Sequence, residues 1–472
     1  MTHSGLIERT VAWTSRQLSE RVRKPPHNLY LEGRFAPVTQ ETTAFDLRVT
    51  GSIPKELRGL YARIGPNPIE VKNPGAYHWF IGHGMVHGVR LEDGRASWYR
   101  SRWVGTDAVD KKLGRPRTPG PRNSMLDLVN TNVIGHAGRL WGLVESGPVP
   151  LQLDGELNPV RAGLFDSPQR NAFAAHPHRD PVTGELHAIC YDSLKPWKIQ
   201  HMVVDAKANV TRIENIPVKH GPMAHDSALT ASKVVILDLP ITFSVREMLR
   251  GYAGFPYRWN KNHPARVGLL PRTGRAADVR WFEVEPCFVF HTCNAFDLED
   301  GGAVVDVIVH NRMFENEQQH HGPEIGRITF ERWTLDAASG RVKRQVISKA
   351  PQEFPRFDER RGSAPYRYAY TAAFDHTDRP KPLYRHDVTT GKTLSHFFGE
   401  TQVSGEAVFI PRKAQGAEDD GWLVTYVHDA RGQGNSDLVI LNADDFEGPP
   451  QAIVHLPARV PMGFHGNWIA DA

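Results

Sequence analysis

The sequence contains few cysteines, no cluster of like charges and no long apolar run, and each absence excludes a class of protein. Its 472 residues include three cysteines, Cys190, Cys287 and Cys293, and none of them belongs to a CxxC pair. This pattern argues against a disulfide framework and against a zinc site built from thiolates. No segment approaches the roughly 18 consecutive apolar residues of a membrane-spanning helix.

The charge of the chain is nearly balanced. Lys and Arg number 57 against 53 Asp and Glu, for a net charge of +4. The most basic stretch, RVRKPP at 21–26, is short, so we expect no nucleic-acid partner. The first residues lack the apolar core and cleavage site of a signal peptide, and we expect a cytoplasmic protein. A peripheral membrane contact through a weakly amphipathic helix over 6–22 stays open.

Helical periodicity is scarce after residue 30, and short alternating segments separated by turn residues recur instead. These strand-length segments are 47–50, 85–100, 138–146, 184–190, 233–239, 303–310, 422–427 and 437–442. Glycine-containing hairpin turns occur at 91–96, 180–186, 335–342 and 386–393. Repeated antiparallel hairpins over such a length predict an all-β fold, a β-propeller rather than stacked sandwiches. We expect an N-terminal extension over 1–29 and a single propeller domain over 30–472.

The last residues, RVPMGFHGNWIADA at 459–472, are unusually apolar for a chain end. Closure of a propeller requires late strands to pair with early ones, so a strand is expected here. That strand explains Phe464 and Trp468 by packing alone. It leaves open whether His465, which lies between them, has a chemical role.

Four of the 23 histidines share one setting, since each follows a small or apolar residue at the edge of a strand-like segment. They are His176, His225, His291 and His465. Inner strands of different blades converge on the propeller axis, so four imidazoles from distant positions could bind one axial metal ion. All-nitrogen ligation suits iron, copper or zinc. For any single histidine, a hydrogen-bonded core residue is the better interpretation.

Metal-bound histidines normally donate their other ring N–H to a carboxylate. Glu145, Glu353 and Glu406 lie in apolar surroundings and could serve in this way, although each alone reads as an ordinary carboxylate at a strand end. No Walker loop, HExxH zinc motif or GxSxG nucleophile elbow occurs in the chain. The residues by themselves therefore support a propeller with an axial metal site and go no further.

Nine sequence blocks together resemble the carotenoid cleavage oxygenase family, in the family's order from about residue 30 onward. They are RIGPNP (63–68), HWFIGHGMVHG (78–88), NTNVIGHAGRLWGLVESG (130–147), AHPH (175–178), HDSALT (225–230), EPCFVFHTCNAF (285–296), QEFPR (352–356), GEAVFIPR (405–412) and MGFHGNW (462–468). The resemblance implies a seven-bladed propeller, with a dome of helices and loops over one axial Fe(II) per chain. It also implies cleavage of a conjugated C=C bond by O₂ into two carbonyl products.

The same resemblance implies roles for individual residues. The four histidines match the iron ligands, and Glu145, Glu353 and Glu406 match the carboxylates that hydrogen-bond three of them. Thr131 matches a threonine whose methyl group crowds an open coordination position. Phe290 and Phe354 adjoin a ligand and a glutamate in sequence and are candidate walls of an apolar substrate tunnel, with ordinary core aromatics an equally good interpretation.

Departures from the family pattern bear on the substrate. In members that cleave hydroxystilbenes a lysine precedes the first glutamate and acts with a tyrosine on the phenol, whereas this chain has Val144 and, where that tyrosine is expected, Trp103. We therefore expect an apolar carotenoid or apocarotenoid and a monomer or weak homo-oligomer. Cleavage of a stilbene or phenylpropenoid is the alternative, and a non-catalytic binding propeller ranks below both. A further departure, His83 where relatives carry aspartate, is expected to make a structural loop contact.

Overall fold

Short apolar segments joined by glycine-containing turns form antiparallel sheets in the computed structural model of the chain. The structure describes residue 14 and residues 17–25, 27–122, 128–252, 255–315, 326–375 and 381–471. The four predicted hairpin turns have a glycine with positive φ, namely Gly94 (76°), Gly184 (72°), Gly340 (69°) and Gly391 (77°). Glycine adopts this backbone conformation without a steric penalty, which is why the turns recur with it.

Seven sheets form the blades of a propeller, which confirms the predicted fold class. Blades 2 to 6 each contain four antiparallel strands. Blade 2 comprises Asn132–His136, Arg139–Leu143, Leu151–Leu153 and Pro159–Ala162, and blade 3 comprises His178–Arg179, Leu186–Tyr191, Lys198–Val204 and Val210–Pro217. Blade 4 comprises Ser227–Leu229, Lys233–Asp238, Arg266–Pro271 and Arg280–Glu283. Blade 5 comprises Phe288–Asp297, Ala303–His310, Ile328–Asp336 and Arg341–Ser348, and blade 6 comprises Gln352–Phe357, Tyr368–Ala373, Leu383–Asp387 and Thr393–His396.

Blades 1 and 7 combine strands from both ends of the chain and so close the ring. Blade 1 comprises Thr43–Phe45, Gly59–Pro66, Gly84–Glu92, Arg95–Trp103 and Gly466–Ala470. Blade 7 comprises Val49–Gly51, Gln402–Ser404, Val408–Pro411, Gly421–Asp429, Asp437–Asn442 and Ala452–His455. The last strand pairs with Gly59–Pro66, and the early strand Val49–Gly51 pairs with Ala452–His455. The predicted ring-closing strand is thus present.

The axis of the propeller is surrounded by edge strands of the sheets. The strand that begins each of blades 3 to 6 lies at the edge of its sheet. In blades 4 to 6 these edge strands lie against one another, and the last strand lies against the first strand of blade 2. Apolar cores fill the wedges between adjacent blades, so the blades are held apart at a fixed spacing around the axis.

Connecting segments on one side of the ring form a dome. It contains the 3₁₀ turns Leu29–Leu31, Gly33–Phe35, Pro74–Ala76 and Trp79–Ile81, the helical turns Val245–Glu247 and Met248–Tyr252, and a two-stranded sheet of Ile241–Phe243 and Tyr257–Trp259. Other connections hold the helix Asp107–Leu113 and the turns Ala276–Asp278 and Glu359–Arg361. Thr106 caps the N-terminus of that helix, and Gly114 ends it in the left-handed conformation.

The N-terminal extension is only partly described. Residues 17–21 are helical, and Ser19 is fixed to the dome because its Oγ donates to the Gly251 carbonyl at 2.6 Å. Most of the helix predicted over 6–22 lies outside the described residues, and the boundary between an extension and a propeller domain stays a prediction. Among the described residues, no helix is long and apolar enough to cross a membrane.

Candidate metal centre

Four imidazoles from four blades converge at the axis, as the sequence predicted. His176, His225 and His465 each lie just before the axial edge strand of a blade, and His291 lies within one. Ring centroids are 4.4 Å apart for His176 and His465, 4.5 Å for His176 and His225, and 4.7 Å for His291 and His465. All four side chains are buried. Residues up to 289 positions apart therefore meet because the ring closes through the last strand.

The arrangement fits a divalent metal ion. Ligating nitrogens of His176, His225 and His291 all lie within 4.8 Å of one another, and Nε2 of His225 is 3.4 Å from Nε2 of His291. The buried Nε2 of His176 has no hydrogen-bond partner among the described residues, although buried polar atoms are normally paired. Burial lowers the pKa of His176 well below its usual value, and the other three imidazoles lower it further. The neutral form needed for metal binding is thereby favoured.

Each of the three predicted glutamates contacts a different histidine. Nδ1 of His225 lies 2.8 Å from Glu145 Oε1. Nδ1 of His291 lies 2.6 Å from Glu353 Oε2. Nδ1 of His465 lies 3.0 Å from Glu406 Oε1. Since a carboxylate accepts at Nδ1, the proton of each ring sits there and Nε2 is left free to bind a metal.

Two of the three carboxylates, Glu353 and Glu406, also accept from further donors, for Glu406 the Gly466 backbone N–H at 2.9 Å. Glu353 also accepts from His310 Nε2 and from the Phe354 backbone N–H at 3.1 Å. Burial opposes ionisation of Glu353, yet His291 and His310 lower its pKa far below the usual range. Burial likewise opposes ionisation of Glu406, but His465 and Arg356 lower its pKa to about 2. Both groups are therefore carboxylates at neutral pH, which fixes them as acceptors.

An aromatic cavity beneath the dome reaches the histidines. Thr131, Val144, Phe290 and Phe354 line it together with His225, His291 and His465. The Phe290 ring stands edge-on to His225 at 5.1 Å, and the Phe354 ring lies 5.4 Å from His291. Thr131 is adjacent to the last ligand, since its carbonyl accepts from the His465 backbone N–H at 3.1 Å. Four of the predicted site residues beyond the ligands and glutamates are thus placed at the same cavity.

Trp103 is the predicted substrate contact that the structure does not bring to this cavity. It packs with Met85 and Val109, and its indole N–H donates to the Asn67 carbonyl at 2.9 Å. Trp103 is not among the described residues that line the aromatic cavity. A packing role in the connection after blade 1 accounts for it, because its strand is the fourth from the edge strand Gly466–Ala470 that adjoins the axis. His83 makes a loop contact of the expected kind, since its Nδ1 accepts from Ile69 N–H at 3.4 Å.

Several cavity residues were not singled out from the sequence. The dome and the connections next to it contribute Tyr30, Phe35, His78, Trp79, Phe80, Phe255 and Phe314, and Phe464, for which the sequence indicated packing alone, also lines the cavity. His78 stacks on Phe255 with ring centroids 4.6 Å apart, which holds the HWF segment against the residues just before strand Tyr257–Trp259. The only sequence signal for this group was the density of aromatics in the 78–81 block, and that density does not distinguish a cavity wall from a filled core.

The family model described as retinal pigment epithelial membrane protein (RPE65) matches residues 35–470. A carotenoid cleavage oxygenase of Mycobacterium tuberculosis is 40% identical over 491 residues, covering 93% of this chain and 97% of the relative. A carotenoid 9,10(9′,10′)-cleavage dioxygenase of Phaseolus vulgaris is 30% identical, covering 94% of this chain and 90% of the relative.

Solved structures of similar proteins also match this chain over most of its length. The lignostilbene dioxygenase of Pseudomonas brassicacearum superposes with a TM-score of 0.82 at 29% identity, covering 95% of this chain and 100% of that chain. The cobalt-substituted ACO of Synechocystis superposes with a TM-score of 0.81 at 26% identity, covering 92% of this chain and 97% of that chain. With the family model matching most of its length, the chain belongs to the carotenoid cleavage oxygenase family and is an oxidoreductase that incorporates O₂.

Proposed function

We propose that this protein is an Fe(II) dioxygenase that cleaves a conjugated C=C bond of a carotenoid or apocarotenoid into two aldehydes. The observation that carries the proposal is the convergence of four buried imidazoles, three of which are paired with glutamates and line an aromatic cavity. A binding module has no need of such a set.

The donor set supports iron. Four neutral nitrogens suit iron, copper or zinc and do not suit magnesium or calcium. The Synechocystis relative has been solved in a cobalt-substituted form, which is consistent with a divalent first-row ion here. When bound, Fe(II) supplies the redox centre at which O₂ reacts with the alkene. His176, His225, His291 and His465 would hold it.

The residues of the chain contribute by positioning and by exclusion of water. Glu145, Glu353 and Glu406 fix the ring orientation and tautomer of three imidazoles through Nδ1. Thr131 lines the cavity beside His465 and narrows the space left next to the ligands. Phe290 and Phe354 flank the imidazoles and would hold a flat polyene against them. No proton-transfer group is required, because the π electrons of the substrate supply the bonding electrons.

The side chains that line the aromatic cavity favour a polyene as substrate. Aromatic and aliphatic side chains dominate it, and Val144 stands where a lysine would engage a phenol. Cleavage of a hydroxylated stilbene is the second candidate, because Ser146 and Tyr257 line the same cavity with their oxygens 3.2 Å apart. These hydroxyls offer hydrogen bonds to a phenol, and a lignostilbene dioxygenase is among the similar structures.

Incubation with two substrates tests the ordering. An apocarotenal and a 4-hydroxystilbene are supplied separately to iron-loaded protein in air, and the products are identified by chromatography and mass spectrometry. We expect two aldehydes from the apocarotenal and little product from the stilbene. The reverse outcome would make the second candidate the function.

Uptake of such an apolar substrate suggests a membrane-facing surface, defined here by Leu194, Trp197, Val245 and Leu249. Trp197 and Leu249 are each 60% exposed and Val245 is 55% exposed. The two segments that carry these residues lie close together. Gly221 lies between them, so near to both Pro196 and Phe243 that a Cβ at this position would contact both. Ser193, beside Leu194, donates to the carbonyl of the cavity-lining Ser146 at 3.2 Å. The exposed apolar group thus lies near the cavity, as substrate entry from a lipid surface requires.

Lipid vesicles test this surface. The double variant Trp197→Ser/Leu249→Ser should co-sediment with phosphatidylglycerol vesicles less than wild type does. Val182→Ser is the matched control, since Val182 is 90% exposed on a hairpin turn of blade 3. Equal binding by all three proteins would contradict a membrane contact at this surface.

A further inference from the structure

Three ligand histidines have a glutamate partner, whereas His176 has none among the described residues. A carboxylate at Nδ1 fixes the position of a metal-binding imidazole. The position of His176 must therefore be fixed through the segment that carries it, AHPH at 175–178.

A buried aspartate outside the predicted site contacts that segment. Asp226 is 4% exposed, and its Oδ1 lies 2.8 Å from His178 Nε2. The same oxygen accepts from the Ser227 backbone N–H at 2.7 Å. Its Oδ2 accepts from the Thr292 backbone N–H at 2.7 Å and lies 3.0 Å from the Thr292 hydroxyl, whose single proton is shared with the Ser227 carbonyl at 2.7 Å. One carboxylate thus has three N–H donors and a hydroxyl beside it, and hydrogen bonds to a charged acceptor are the stronger kind.

All of these donors lie beside metal ligands. His178 follows His176 by two residues, and Thr292 directly follows His291. Asp226 itself directly follows His225. The carboxylate therefore connects the ligand-bearing segments of blades 3, 4 and 5, which no backbone ladder joins directly in the described residues.

Asp226 is separate from the space that would hold substrate. Asp226, His178 and Thr292 line a second, polar cavity that also reaches His176, His291 and His465. None of these three occurs among the described residues that line the aromatic cavity. An effect of Asp226 on the reaction must then pass through the ligands.

We infer that Asp226 is a positioning residue of the metal centre, which sets the spacing of His176, His225 and His291 and replaces the missing carboxylate of His176. The inference rests on the proposed metal centre. Asparagine has nearly the same shape, but its NH₂ group would face a donor and cannot accept from it. Asp226→Asn therefore disturbs the spacing of the three ligands while it leaves every ligand and glutamate in place.

A matched control exists in blade 4. Asp238 is fully buried and also pairs with a histidine, since its Oδ1 lies 2.7 Å from His263 Nε2. Its other oxygen accepts from Arg266 at 2.8 Å, and neither partner is next to a ligand. Asp238→Asn removes the same kind of buried carboxylate without touching the metal centre.

The test measures Fe²⁺ affinity by competition with a chelator, and the visible spectrum of the Co²⁺ form, for wild type and both variants. We expect Asp226→Asn to bind Fe²⁺ about 10- to 100-fold more weakly and to show an altered Co²⁺ spectrum. Asp238→Asn should match wild type in both measurements. Thr292→Val provides a milder change should Asp226→Asn fail to fold, with a smaller loss of affinity that Thr292→Ser restores.

The outcomes separate this inference from the proposed function. Wild-type affinity and spectrum in Asp226→Asn, or in Thr292→Val if only that variant folds, would overturn the role of Asp226 alone. A weakening in Asp238→Asn equal to that in Asp226→Asn would also overturn it, since loss of a buried carboxylate anywhere would then suffice. A wild-type protein that binds neither Fe²⁺ nor Co²⁺ would overturn the proposed metal centre, and the inference with it.

Discussion

Ending the chain at His465 is expected to remove most of the free energy of unfolding, because the last strand closes the propeller. Five residue pairs join Gly466–Ala470 to Gly59–Pro66. At about 1 kcal/mol net for each ladder hydrogen bond, the pairing contributes about 5 kcal/mol. Trp468 and Ile469 are half-buried against the cores on either side of blade 1 and add about 1 kcal/mol each.

The total of about 7 kcal/mol lies within the roughly 5–15 kcal/mol that stabilises a typical folded domain. Thermal unfolding followed by circular dichroism should show a chain that is insoluble or melts on the order of 10 °C below wild type. His465→Ala is the matched variant, because it keeps the whole strand and removes only the imidazole. It should melt within a few degrees of metal-free wild type and bind no iron.

A truncated chain that melts with wild type would refute this reasoning, since the ring would then be closed well enough by the pairing of Val49–Gly51 with Ala452–His455. A folded His465→Ala variant that still binds iron as wild type does would refute the assignment of His465 to the centre. The truncated chain and His465→Ala together therefore separate the structural role of the last strand from the metal-binding role of His465.

Three further predictions concern single side chains. Glu353→Gln should weaken Fe²⁺ binding about 10- to 100-fold because it removes the acceptor of His291 Nδ1, whereas Glu331→Gln, at a buried glutamate that contacts no ligand, should not. Burial raises the pKa of Glu331, but hydrogen bonds, led by the one from Arg344, outweigh burial and hold the pKa below 4.5. The ionised Glu331 therefore stabilises the folded protein fully above pH 4.5, and this contribution is lost as the pH falls through the folded-state pKa. The Tm difference between wild type and Glu331→Gln should accordingly become smaller in acid. Val144→Lys should raise the ratio of hydroxystilbene to apocarotenal cleavage, and an unchanged ratio would show that this position does not select the substrate.

The strands were the most predictable part of the fold. Segments such as 303–310 and 437–442 match strands Ala303–His310 and Asp437–Asn442, because β-branched residues between turn residues determine local structure. The number of blades was not predictable from the residues, since nothing local counts repeats that have diverged. It followed from the family resemblance.

The candidate site also has a part that could be predicted from the sequence and a part that could not. The seven histidines and glutamates lie where the resemblance implied, but which glutamate contacts which histidine depends on blade order and could not be predicted. Trp103 was assigned from its place in a neighbouring motif, and strand periodicity does not tell how far from the axis a side chain lies. Asp226 was missed because an aspartate after a histidine has no distinct pattern until the AHPH segment and Thr292 are seen to meet it.

The most direct test of the account is anomalous diffraction at the iron absorption edge from crystals of the iron-loaded protein. The account predicts one peak per chain, among the imidazoles of His176, His225, His291 and His465. Iron bound elsewhere, or no peak in protein that cleaves its substrate at full rate, would contradict it.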